Sequence, residues 1–256
     1  MNVLKVHMRV TTALIIREMA ARFGDKPGGY VWALLDPLSH VFLMTLIFSA
    51  VAKVPPLGSD FPLFFASGYL CFQFYQGMSS YVAAAVKANK SLLTYPLVAP
   101  IDAVVARYVL QFITTSFVAT FILGMIIVKL PFSVQFDWSY ILEALFAATL
   151  LGAGMGLINV TLFARSPLYE QIFSLVNRPM FMISGVFFVP DAMPRPYLDY
   201  LLYNPILHAV MCFRQGIYPE YRPEILDMGY LYEWVFGTIF VGLVLLSVSA
   251  AKLRND

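Results

Sequence analysis

Residues 185–221 read GVFFVPDAMPRPYLDYLLYNPILHAVMCFRQGIYPEY. The stretch is too apolar for a solvated loop, yet Pro190, Pro194, Pro196, Pro205 and Pro219 divide it, with Asp191, Arg195, Asp199 and Arg214 among them. A helix that crosses a bilayer needs about 20 consecutive, mostly apolar residues, so this stretch does not cross. Irregular backbone at membrane depth is tolerated only inside protein or beside a water-filled cavity. The pattern therefore predicts two short helices, 196–203 and 206–216, dipping into one face of a membrane. Asn204 and Pro205 form the bend, since Asn can cap a helix start and Pro suits the first helical position. The competing reading is an amphipathic hairpin lying on the surface.

The rest of the chain supplies that membrane. Hydrophobic residues make up 60% of the sequence and charged residues 12%, against roughly 25% charged in soluble domains; the mean hydropathy is +0.74. This composition predicts an all-α, polytopic membrane protein forming one domain over residues 1–256. A formal charge of +2 says little about partners, because the placement of Lys and Arg carries the information. No cleavable signal is expected, since the first apolar run begins near Tyr30, after five basic residues. Cys71 and Cys212 read as small buried hydrophobes rather than a disulfide.

Residues 1–29 form a basic, imperfectly amphipathic segment with Val3, Val6, Val10, Ala13 and Leu14 on one helical face, closed by the turn-forming residues 24–29. It is expected to lie along the cytoplasmic surface. Apolar runs follow at 31–52, 63–86, 104–128, 140–163 and 172–189, with a sixth at 234–251 after the hairpin of 190–222. Six transmembrane helices put both termini on one side. With the N-terminus inside, twelve basic residues fall inside and five outside, which supports cytoplasmic termini and places the hairpin on the far face.

The inner connection from Lys87 to Asp102 is more apolar than solvation requires. Pro96 and Pro100 stop the preceding helix from running on, and Asp102 stands where a carboxylate favours the start of the next helix. Leu92, Leu93 and Tyr95 fit a docking surface and an interfacial linker equally. In the second run Phe61, Phe65, Tyr69, Phe72 and Gln76 share a stripe, with Tyr75 beside it. Such aromatic faces stack on sugar rings, and they also pack against helices and lipid. Gly152, Gly154 and Gly156 offer a small surface for close helix contact.

Several chemistries find no support. No P-loop motif is present, so ATP-driven work requires a partner that binds ATP and Mg. His7, His40 and His208 are far apart and form no metal-binding pattern, and no G-x-S-x-G occurs. No catalytic residue, metal or cofactor of its own is expected for this chain.

One set of motifs resembles a known family. Arg17, Glu18, Arg22, Phe23, Gly29, Tyr30, Trp32, Ala33, Leu34, Leu35, Asp36 and Pro37 match the entry motif of the ABC-2 type permeases that export capsular polysaccharide or O-antigen from Gram-negative bacteria, the capsule branch being more similar. Leu92, Leu93, Tyr95, Pro96, Pro100, Ile101 and Asp102 match its inner-loop pattern. Ser184, Gly185, Pro190, Pro194, Asn204, Pro205, His208 and Arg214 match its closing pattern. Two positions depart: Gly28 stands for a larger apolar residue, and Met211 stands where many relatives carry Glu.

The resemblance implies a homodimer in the bacterial inner membrane, with two ATPase subunits docked below. It implies export of a lipid-linked polysaccharide through the dimer interface to a periplasmic adaptor and an outer-membrane export protein, and no role for nucleic acid. Arg17, Glu18, Arg22, Leu92, Leu93, Tyr95, Pro96, Pro100 and Asp102 are then the ATPase-coupling candidates, and Pro190, Asn204, Pro205, His208 and Arg214 the periplasmic gate.

Asp36, Arg178, Phe65, Tyr69, Phe72, Tyr75 and Gln76 are the substrate-channel candidates. Asp36 and Arg178 lie at similar depth, roughly 9 Å in at 1.5 Å per residue, each beside a proline. They are expected to pair, within one subunit or across a dimer, at the entrance for an anionic lipid-linked substrate. Two other functions are compatible with the residues. One is a membrane-embedded glycosyl or acyl transferase with Asp36 or Glu143 as acid or base, and the other a solitary secondary transporter using Asp36 or Arg178.

Overall fold

The computed structural model describes residues 3–23, 28–95, 97–131 and 134–255, which contain helices and no strand. In chain order these are α1 (Val3–Phe23), α2 (Gly29–Val51), α3 (Phe61–Ala83), the short α4 (Ala85–Ala88) and α5 (Lys90–Leu93), α6 (Pro100–Val128), α7 (Trp138–Arg165) and α8 (Pro167–Ile183). The hairpin follows as a 3-10 turn (Pro190–Ala192), α9 (Tyr197–Leu201) and α10 (Pro205–Ile217), and α11 (Met228–Asn255) ends the chain. Most of the turn expected at 24–29, and Pro96, lie outside the described residues.

Among the described residues, four helices are long and apolar enough to cross a membrane: α2, α6, α7 and α11. The chain is a multi-pass membrane protein. α3 is not among the four, since it carries Ser67, Gln73, Gln76, Ser79 and Ser80. It stands at the centre, walled by α2, α6, α7 and α10, where a helix faces protein rather than lipid and need not be apolar all round. α2 is the opposite case. Its most apolar window is only 11% buried, and Leu34, Leu38, Val41, Met44 and Phe48 form the stripe that rests on the core.

Helices in a bilayer gain little from hiding apolar surface, because lipid is as apolar as leucine; close packing and paired polar groups hold them instead. α7 shows how. A Cβ at Gly152 would stand 2.5 Å from the Tyr75 carbonyl oxygen, and one at Gly156 would stand 2.7 Å from Val82 Cβ, both on α3. On the opposite face, a Cβ at Gly154 would meet Thr238 of α11. The glycines thus let α7 touch α3 and α11 through their backbones.

The fifth helix departs from the expected run of 172–189. α8 begins at Pro167 because the Ser166 hydroxyl accepts the Tyr169 N–H at 3.2 Å. It stops at Ile183, and Gly185 turns the chain at φ 75°. Asn177 is its one buried residue. Gly28 also has a positive φ, 73°, at the start of α2, so the departure noted there suits the left-handed turn the chain makes.

The two arms of the hairpin differ: α9 is largely exposed, with Tyr197, Tyr200 and the following Tyr203 open and Leu198 buried, whereas α10 is enclosed by protein and does not lie on the surface. Eleven of the thirteen α10 residues are buried, packed against α3, α7 and α11. Asn204 caps α10 by accepting the Ile206 N–H at 3.1 Å, and Pro205 is its first residue. Met211 is fully buried in the apolar core. Cys71 and Cys212 are free and buried. The hairpin touches the N-terminal half of α3 through Phe64 and Ser67, while α1 touches its C-terminal end through Tyr81. These two regions mark opposite ends of the bundle.

Candidate functional site

At the α1 end, a polar network fastens α1 to the bundle. The Glu18 carboxylate accepts Arg107 Nε at 2.9 Å and Nη2 at 3.0 Å, a two-point pair nearly closed to solvent. Arg107 Nη1 also donates to the Tyr81 carbonyl at 2.9 Å, and the Tyr81 hydroxyl donates to Glu18 at 3.0 Å. The guanidiniums of Arg22 and Arg107 lie 4.5 Å and 4.4 Å from the centre of the Tyr81 ring, which both engage by cation–π contact. Arg22 donates to Gln111 at 2.7 Å and Arg17 to Asn89 at 2.7 Å. Burial by itself would raise the Glu18 pKa, but hydrogen bonds from Arg107 and Asn89 and the Arg107 charge outweigh it and hold the carboxyl below its ordinary 4.5.

The inner loop divides by burial. Leu93 is 1% exposed and packs with Leu14 of α1 and Val82 of α3, with Leu92 resting on the same cluster, while Tyr95 is 62% exposed. Pro100 opens α6, and Asp102 accepts the Ala99 N–H at 2.9 Å and faces His7 Nδ1 at 2.8 Å. All the described coupling candidates therefore lie at one end of the molecule.

The channel candidates are divided. Phe65, Tyr69, Phe72 and Tyr75 are sealed in the core. Tyr69 stacks on His40 at 5.2 Å, and Phe72 packs on Phe181 at 5.3 Å. In this conformation they are packing residues. Gln76 accepts the Asn177 amide at 2.9 Å and, with Arg178, lines a cavity of about 620 Å³ at the α1 end. Asp36 lies elsewhere, exposed and 3.9 Å from His40. No ion pair joins Asp36 to Arg178 within the chain; the near charges at the cavity are instead Lys87 and Glu170, 3.6 Å apart. Glu143 meets the Tyr232 hydroxyl at 3.4 Å. Among the described residues, no group of three His, Cys, Asp or Glu side chains could hold a metal.

At the hairpin end, Arg214 is completely buried and has no carboxylate partner among the described residues. It donates instead to the carbonyls of Phe188 at 2.8 Å and Val186 at 2.9 Å, and lies 4.2 Å from the Phe64 ring centre. Asn204 reaches the end of α8, donating to the Ile183 carbonyl at 3.2 Å and Ser184 Oγ at 3.1 Å. Pro190 is buried in the 3-10 turn. His208 is fixed as one tautomer: Nδ1 accepts the Asp227 N–H at 3.1 Å, so Nε2 carries the proton and donates to the Leu202 carbonyl at 3.0 Å.

Sequence reasoning missed Arg107, Tyr81, Asn89 and Gln111 as partners of the α1 charges. A guanidinium inside the third apolar run was the available signal, since a buried charge requires a partner. It also missed Asn177 and the Lys87–Glu170 contact, which follow only from the fold.

Comparison with known proteins covers most of the chain. Residues 9–218 match the family model described as ABC-2 type transporter. The chain is 32% identical over 236 residues to the polysialic acid transport protein KpsM of Escherichia coli, covering 91% of this chain and 90% of that one. It is 25% identical over 217 residues to the capsule polysaccharide export inner-membrane protein CtrC of Neisseria meningitidis, covering 85% and 82%. It is 23% identical over 242 residues to the capsule polysaccharide export inner-membrane protein BexB of Haemophilus influenzae, covering 94% and 91%.

Proposed function

Since the chain belongs to the ABC-2 type transporter family, we propose that it is the permease subunit of an exporter that carries a lipid-linked capsular polysaccharide across the bacterial inner membrane. A separate pair of ATPase subunits binds ATP and Mg and supplies the energy. The α1 end is cytoplasmic, α3 and α8 complete six crossings, and both termini are cytoplasmic. The export names carried by relatives matching along nearly their whole length support this reading.

The observation that carries it is the fastening of α1. A helix bonded to α3 and α6 through Glu18, Arg107 and Tyr81, with exposed Tyr95 and Leu97 on the neighbouring loop, offers a firm apolar platform to an ATPase. A homodimer is part of this reading; the exposed Trp32, Phe42, Leu46, Ile172, Leu175 and Val176 of α2 and α8 suit a lipid-facing surface and a subunit contact alike. A periplasmic adaptor and an outer-membrane export protein complete the route.

The test is reconstitution in proteoliposomes with the separately purified ATPase. ATP hydrolysis stimulated by lipid-linked acidic polysaccharide, and requiring both proteins, is the expected result. Movement of solute or product formation by this chain alone would overturn it.

A further inference from the structure

The cavity at the α1 end combines two kinds of wall. Val86, Val160, Phe163, Phe173 and Leu253 form apolar surface. Lys87, Lys90 and Arg178 bring three cations to the same space against a single carboxylate, Glu170. That carboxylate is engaged with Lys87, and neither Lys90 nor Arg178 has an ion-pair partner among the described residues. Gln76 uses its carbonyl oxygen to accept from Asn177, which leaves its NH2 group to donate. At about 620 Å³ the space is in the range of small-molecule sites. Cations and amide donors on one side with hydrocarbon on the other match an amphiphile better than a free ion or a neutral sugar.

We propose that this cavity binds the phosphate-bearing headgroup of an anionic lipid from the leaflet at the α1 end. Lys90 and Arg178 receive the phosphate, Gln76 donates to it, and the apolar wall takes the first part of the acyl chain. Glu170 holds Lys87 in the empty site and releases it to the incoming phosphate, so one anion exchanges for another. This rests on the export reading only in placing the α1 end at the cytoplasmic leaflet. The binding test below needs neither an ATPase nor export, so the two readings fail separately.

The experiment uses the full chain in nanodiscs, with photoactivatable phosphatidylglycerol or photoactivatable phosphatidylcholine as probes and the labelled peptides identified by mass spectrometry. Phosphatidylglycerol is expected to label peptides around 80–90 and 170–178 in clear preference to phosphatidylcholine. Lys90→Gln and Arg178→Gln should each lower that preference about fivefold, near 1 kcal/mol per surface cation. Arg178→Lys should keep most of it, and Glu170→Gln should raise it by freeing Lys87. These side chains border an open cavity, and thermal unfolding of each variant verifies that the fold is kept. Equal labelling by both lipids, or a preference unchanged in the Lys90→Gln/Arg178→Gln double variant, would overturn the proposal. Inorganic phosphate provides the second arm: labelling by phosphatidylglycerol that persists in millimolar phosphate supports a lipid headgroup, whereas thermal stabilisation by millimolar phosphate with no preference for phosphatidylglycerol over phosphatidylcholine assigns the site to a free anion and also overturns the proposal.

Discussion

Glu18 of α1 and Arg107 of α6 meet through two parallel hydrogen bonds of 2.9 Å and 3.0 Å, with side chains 8% and 7% exposed. Removing one member of such a pair strands the other charge, whereas replacing both leaves none behind. Glu18→Ala or Arg107→Ala should each destabilise the protein by about 3 kcal/mol or more. The double change to Gln and Met should recover part of that loss. Thermal unfolding in detergent checks both, and two single variants as stable as the parent would show that the pair does not hold α1.

The same carboxylate predicts an acid limit. Its folded pKa lies below the ordinary 4.5, so the unfolded chain binds its proton first as pH falls. The stabilisation is complete above about pH 4.5 and declines below it as the folded value is approached. Glu18→Gln should flatten this part of the stability profile.

His208 titrates in a higher window. Burial lowers its pKa below 6.5, with the Leu202 carbonyl and the Asp227 charge opposing. A proton on Nδ1 would displace the Asp227 N–H that now donates there. The unfolded state therefore binds more protons below about pH 6.5, and stability rises with pH through that region. Melting temperatures measured between pH 5 and 7 should fall with acidification in the parent and less steeply in His208→Gln.

Leu93 and Tyr95, two residues apart, should give different defects. Leu93→Ser places a hydroxyl in a packed site and should lower stability by about 2–4 kcal/mol. Tyr95→Ser alters an exposed side chain and should leave the melting temperature within the small range typical of surface changes. It should nonetheless weaken ATPase stimulation. Normal stimulation in Tyr95→Ser would remove this residue from the docking surface.

Ile206 and Leu207 are 1% and 0% exposed. Cysteines placed there, in a background lacking Cys71 and Cys212, should react slowly with a membrane-impermeant thiol reagent in the resting protein. Faster reaction during ATP turnover is the sign of a moving gate. A fast rate in the resting state would contradict the burial.

The apolar runs revealed helices because membrane spans must satisfy their own backbone and face lipid, and both demands leave long marks in sequence. The hairpin was legible for the complementary reason: proline-broken apolar chain has few places to go. Asn204 and Pro205 were identifiable because capping is local. The position of α8 was harder to read, since its start depends on Ser166, a cap lying before the apolar run, and its end on Gly185. Counting residues from the span boundaries gives Asp36 and Arg178 a similar expected depth, but such a count does not fix which way two helices turn. Tyr69 and Phe72 illustrate the same gap, because an aromatic stripe looks alike whether it lines a passage or packs on rings such as His40 and Phe181.

The glycine seam of α7 limits how this protein can vary over generations. A methyl at Gly152 would press on a main-chain oxygen, and one at Gly156 on a branched carbon of Val82. The main-chain oxygen cannot be trimmed by any substitution in α3, and Gly154 faces a similar backbone obstacle at Ile239 of α11. Descendants should therefore drift freely on the lipid-facing side of α6, where Phe117 and Phe121 stand exposed. At Gly152 and Gly154 the neighbouring backbone bars a side chain whatever residues surround it, so this interior records ancestry long after the outer faces have lost it.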